Sequence, residues 1–218
     1  MLPLTFTLLS DGSSDRCLLP IVRWAIDQAL QDYSYQQAPQ WADLRSLPNP
    51  PRSLTDRIRL AVELFPCQLL IVHRDAEKQE AALREQEIEA ALAALTEISL
   101  PPTVKIIPIR MQETWLLIEE QAIREAAGNP HGEVRLNLPK IARLEDLAEP
   151  KQALHEALLT ASELSGRRLR NFSPHARTYQ IAEFITDFQP LRKLAGFQTF
   201  EADIRRALEQ LPDVAALS

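Results

Sequence analysis

The chain opens on a short apolar run, residues 4–9 "LTFTLL", broken only by two Thr. A run of this length suits a strand buried on both faces, as in a parallel sheet. The period then changes. Leu18, Leu19, Val22, Ile26 and Leu30 fall at helical spacing, and Pro20 among them predicts a helix that either starts late, near Cys17, or kinks. Residues 34–48 are weakly patterned, with room for a strand near Trp41, and "PNPPRS" is a break. Ser53 with Asp56 reads as a capping-box variant. It opens a helix with Ile58, Ala61, Val62 and Phe65 on one face, stopped by Pro66. "QLLIV" at 68–72 is a second apolar strand. Residues 76–96, rich in Ala, Leu, Glu and Gln, predict a helix with Glu80 placed to pair with Arg84. "PPTVKIIPI" supplies a strand at about 103–109. "QETWLLIEEQAIREAAG" predicts a helix with an acidic start and Gly128 as its stop.

This order predicts an α/β fold over residues 1–128, with a mostly parallel central sheet flanked by helices. From 129 the texture changes. "NPHGEVRLNLPKIARLEDLAEP" has few periodic apolar positions, and 151–162, 174–187 and 199–211 predict helices. Residues 129–218 read as a helical C-terminal region packed on the sheet domain.

Composition narrows the class. With 45% hydrophobic and 25% charged residues, the 218-residue chain can bury a sizeable core. A net charge of -6 argues against coating nucleic acid by bulk charge and leaves a local basic surface open. Cys17 and Cys67 form no CxxC pair, which excludes a zinc framework and fits a reducing compartment. "MLPLTFTLL" lacks the basic start and apolar length of a signal peptide, and no run nears the roughly 18 residues of a membrane span. A cytoplasmic location is therefore expected. With five Gly there is no phosphate loop, and neither GxSxG nor HExxH occurs.

Ligands of parallel sheets bind outside the carboxyl ends of the strands. Three such ends carry acids here: Asp11 and Asp15 in "SDGSSDR", Asp75 and Glu77 after His73-Arg74, and Glu113. Two carboxylates on neighbouring strands, about 5 Å apart, repel by roughly 3 kcal/mol at an effective dielectric of 20. A divalent cation would remove that cost, as would a basic partner such as Arg16 or Arg74. Each group also has an ordinary structural use. Asp11, Ser13 and Ser14 suit a turn and N-cap, Asp75 and Glu77 a helix cap, and His73 a hydrogen-bonded strand end. Glu113 suits a first helical turn and Trp115 the core.

The pattern of apolar strand, acid-Gly-x-x-acid, helix and a later strand ending in Asp-x-Asp resembles the Toprim domain. That domain occurs in topoisomerases, primases and the overcoming-lysogenization-defect nucleases. "Glu113-Thr114-Trp115" resembles the Glu-x-Trp motif of one branch of Toprim-like proteins, and "FQTFEADIRRAL" resembles its closing helix. The resemblance implies a metal-dependent nuclease. Asp11 would handle protons, Asp15 and Glu113 would assist, and Asp75, Glu77 and His73 would hold Mg2+ or Mn2+. Two positions depart from the pattern. Asp11 stands where Glu is expected, and His73 where the first Asp of Asp-x-Asp is expected. Imidazole favours transition ions over Mg2+. The resemblance therefore also admits a binding module that has lost catalysis, beside a partner such as an ATPase.

"GRRLRNFSPHAR" interleaves Arg167, Arg168, Arg170 and Arg177 with Phe172, a pattern suited to a phosphate backbone as well as to a solvated helix end. Ser173 and Pro174 suit a helix start.

Overall fold

A computed structural model of the chain describes residues 2–77 and 79–212. It is an α/β fold with a four-stranded, all-parallel sheet in the order β2-β1-β3-β4. The strands are β1 (Leu2–Leu9), β2 (Tyr35–Ala42), β3 (Leu69–His73) and β4 (Thr103–Ile106). Helices α1 (Leu18–Ala29), α2 (Leu54–Leu64) and α3 (Ala81–Ala93) join them. Alternation along β1 divides the core. Leu4, Phe6 and Leu8 face one apolar cluster with α1, while Leu9 faces the other with Ile58 of α2 and Ile88 of α3. Thr7 is tolerated inside the sheet because its hydroxyl donates to the Phe65 carbonyl at 2.9 Å.

From β1 the chain steps outward to β2, and from β3 outward the other way to β4. The carboxyl ends of β1 and β3 therefore flank the point where the winding reverses, the ligand-binding crevice of open parallel sheets. Helix α1 starts late. A 3-10 turn, Ser14–Cys17, precedes it, and Pro20 falls in its first turn, where backbone N–H groups have no helical acceptor. Ser53 caps α2 by accepting from Asp56 N–H, as expected.

Four expectations are corrected. The helix expected from 76 begins at Ala81, because the backbone of residues 74–77 pairs with the segment after β4 instead. Arg74 N–H donates to Ile106 O at 3.1 Å, Ala76 to Pro108 O at 3.2 Å and Glu77 to Arg110 O at 2.6 Å. Arg84 turns to Glu87 at 3.0 Å rather than to Glu80. The strand expected to 109 ends at Ile106. The single helix expected from Gln112 to Gly128 is a 3-10 turn, Gln112–Leu116, followed by α4 (Glu120–Ala126). All five residues of that turn are buried, which one stripe of a surface α-helix cannot accommodate. Gly128, at φ 78, stops α4 as expected.

The later chain adds α5 (Pro150–Ser162), α6 (Gly166–Arg170), α7 (Pro174–Phe184) and α8 (Ala195–Glu209). Ser173 caps α7 by accepting from Ala176 N–H. Helix α8 lies on the sheet beside β4 and α1, and Phe197 and Phe200 share one core with β1 and β3. Trp115 packs edge-on against Phe197 at 5.4 Å, anchoring the turn after β4 to α8. Among the described residues, no helix is long and apolar enough to cross a membrane.

Candidate functional site

A cleft of about 240 Å³ opens at the winding reversal, lined by Asp11, Asp15, His73, Asp75, Glu77 and Glu113 among others. The acids noted at three separate strand ends in the sequence thus share one site. Their environments differ sharply.

Asp15 is 5% exposed and heavily hydrogen-bonded. It accepts from Gly12 N–H at 2.6 Å, Gln112 Nε2 at 2.7 Å and Ser14 Oγ at 3.3 Å. Burial alone would raise its pKa, but His73 and these three donors outweigh it and hold the carboxyl below its usual range. Gly12 is needed here for closeness, since a Cβ on it would come within 2.9 Å of Asp15 Oδ1.

His73 is 3% exposed at the end of β3. Its Nδ1 faces the Ile106 carbonyl at 3.1 Å and so carries the donated hydrogen. Nε2 then faces Asp75 Oδ1 at 3.6 Å and Asp15 Oδ2 at 3.9 Å. With Nδ1 committed to the carbonyl, Nε2 is the nitrogen turned to the cleft, the orientation that a backbone carbonyl gives to metal-ligating histidines.

Asp75 Oδ1 accepts from Gln112 N–H at 2.9 Å, and its carbonyl accepts from Arg84 Nε at 3.1 Å. Burial pushes the Asp75 carboxyl up; Asp15 and Glu77 add to this, while His73 and the Gln112 N–H oppose it. Glu113 is 2% exposed, and its Oε2 has no hydrogen-bond partner. Burial is the main reason its pKa is raised; Asp75 and Asp15 add to it, and its own backbone N–H and Lys151 oppose it. The same field acts on Cys17, whose thiol is pushed well up first by burial and then by Asp15, Glu113 and Asp75. It stays neutral and inert.

Asp11 and Glu77 sit at the rim. Asp11 is paired with Arg57 and, at 3.1 Å, with Arg74 Nε. Arg57 Nη2 also donates to Ser10 O at 2.5 Å. The Asp11 carboxylate is thus engaged by two guanidinium groups rather than turned free into the cleft. Glu77 is exposed, 3.8 Å from Arg84, and takes a left-handed φ of 55 opposite Arg110, at φ 72. Non-glycine residues in this region store strain of order 1–3 kcal/mol each. Together they turn the two loops so that Asp75 and Gln112 meet.

Four participants were not expected at the site from the sequence. Gln112 bridges Asp15 and Asp75 through its side chain and backbone. Arg57, Arg84 and Lys151 bring positive charge from α2, α3 and α5. Gln112 adjoins the Glu-x-Trp stretch, Arg57 follows the capping-box Asp56, and Arg84 was expected only as a helical partner of Glu80, so none of them pointed to the site. Arg167, Arg168 and Arg170 lie exposed on α6, and Arg177 on α7 bonds Gln180 at 3.1 Å; none of the four lines the cleft.

Two donors of the cleft suit a divalent transition ion, the His73 imidazole nitrogen and the Asp75 carboxylate, 3.6 Å apart. Among the described residues, no group of three or more His, Cys, Asp or Glu side chains stands arranged to enclose an ion. An open site that relies on one or two protein ligands, waters and substrate oxygens does not require a closed cage. No protein-family model, curated protein or solved structure matches the chain.

Proposed function

We propose that the chain is a divalent-cation-dependent phosphodiesterase acting on nucleic acid, similar to Toprim nucleases but with an altered cation site. The observation that supports this most is the meeting of His73 Nε2, Asp15, Asp75 and Glu113 in one cleft at the winding reversal. Their environments push carboxyl pKa values apart, Asp15 down and Glu113 up, which is how acid and base roles separate in one site.

His73 and Asp75 would hold the cation. When bound, it supplies charge stabilisation at phosphoryl oxygens and a more acidic water. The remaining steps belong to the chain itself. Asp15, ionised at neutral pH, fixes the Gln112 amide, and Gln112 in turn orients Asp75. Glu113, whose pKa is raised by burial, is the group that would pass a proton to the leaving oxygen. Arg57 and Arg74 hold Asp11 at the rim, so Asp11 is a positioning residue.

The test is cleavage of short DNA and RNA by the full chain with Mn2+. Cleavage is expected, removed by Asp75→Asn and reduced by about 10²-fold or more by Glu113→Gln. Absence of cleavage with any divalent cation would favour a second reading. In that reading the chain is a Toprim-like binding module beside a partner such as an ATPase. The engagement of Asp11 by Arg57 and Arg74 is the observation on its side.

A further inference from the structure

A second cleft, about 430 Å³, adjoins the first, and Ser14 lines both. Its walls come from the turn before α1, the end of β2 and the N-terminal half of α7. It brings Arg16, Trp41, Arg45, His175 and Tyr179 together. Resting on the phosphodiesterase reading, we infer that this cleft binds single-stranded nucleic acid, stacking a base on its aromatic walls and leading the backbone past Ser14 into the carboxylate site.

Arg16 is exposed and makes no ion pair among the described residues, so its charge is available to a phosphate. The one acid of the cleft, Asp43, is already taken by Arg45 through two bonds of 2.7 Å. That guanidinium also lies 5.6 Å over the Trp41 ring, making a planar cationic-aromatic wall. Trp41 is held in place by Nε1 donating to Ser10 Oγ at 3.1 Å. On α7, His175 and Tyr179 are four residues apart and share a face, and Tyr179 is 39% exposed. Arg177 falls on another face and does not line the cleft, so the charge open to a phosphate here is that of Arg16.

The combination selects the ligand. A phosphate alone would need no aromatic wall, and an apolar ligand would not be met by an unpaired arginine. Stacking requires a base whose face is free, which single strands offer and duplexes do not. The volume lies in the range of small-molecule sites, roughly 300–1,000 Å³, and suits a nucleotide unit of a strand.

The experiment is fluorescence anisotropy of a labelled short oligothymidylate with the full chain, at low salt with chelator present. The single strand is expected to bind more tightly than the same length of duplex. Arg16→Ala and Tyr179→Ala should each weaken binding by about tenfold, and Tyr179→Phe, which keeps the ring, should not. Arg16→Ala should also flatten the salt dependence. Parental affinity in both alanine variants, or preference for duplex, would overturn the inference. Mn2+-dependent cleavage, measured in parallel on the same variants' parent, reports on the first cleft separately. Cleavage alongside unaltered strand binding by the variants would remove the stacking cleft and leave the phosphodiesterase standing. Strand binding that depends on Arg16 and Tyr179, without cleavage, would do the reverse.

Discussion

At the scale of single residues, Glu113 carries the sharpest conflict between folding and chemistry. A buried carboxyl with an unpartnered oxygen is poorly suited to holding charge. Its folded pKa lies above the unfolded value of about 4.3, so the folded state binds the proton more tightly. The stability this contributes is fully present below about pH 4 and is lost as pH rises through the folded pKa. Glu113→Gln removes the ionisation while keeping shape. Thermal unfolding of the variant and the parent should therefore coincide near pH 4 and diverge above it, with the variant the more stable at pH 8. The gap should be about 1.4 kcal/mol for each unit by which the folded pKa exceeds the unfolded one. A gap that is constant with pH would mean that the carboxyl ionises freely. Asp15 works in the opposite sense, because its lowered pKa contributes stability above about pH 4 that is lost as pH falls.

At the scale of elements, β1, β3, α1 and α2 were legible because apolar period is a local signal, whereas the weak patterning of β2 leaves it open, and Asp11, Asp75 and Glu113 could be placed by strand sense alone. The extended loops after β3 and β4 were not legible. Their pairing, Glu77 N–H to Arg110 O, joins residues far apart in sequence and overrides the helix that composition predicts at 76. The start of α8 is another case. Expected at 199, it begins at Ala195, because the carboxylate of Glu145 accepts from Ala195 N–H and Gly196 N–H, both at 2.9 Å. A cap drawn from a patternless stretch cannot be read locally. A Cβ on Gly196 would also meet Ile107 O and Ile109 N at 3.3 Å, so α8 approaches the post-β4 segment closely. Glu145→Ala should lower unfolding free energy by about 1 kcal/mol, read by chemical denaturation. An unchanged midpoint would show that water replaces the cap without loss. The charged partners of the site were illegible for a similar reason: Arg57 and Lys151 sit on helices whose patterning reports only which face is buried.

At the scale of the molecule, the reversal of winding between β1 and β3 makes one crevice, and every acid of the proposed chemistry comes to its walls. Around it the chain distributes compensation: Arg57 and Arg74 on Asp11, Arg84 on the Asp75 carbonyl, and His73 among the inner carboxylates. The central claim is that this crevice takes a divalent cation through His73 and Asp75. Isothermal titration of the full chain with Mn2+ and with Mg2+ tests it most directly. The account predicts saturable Mn2+ binding, tighter than Mg2+, weakened by His73→Ala and lost in Asp75→Asn. Absence of saturable binding of either ion, or Mn2+ binding unchanged in Asp75→Asn, would contradict it.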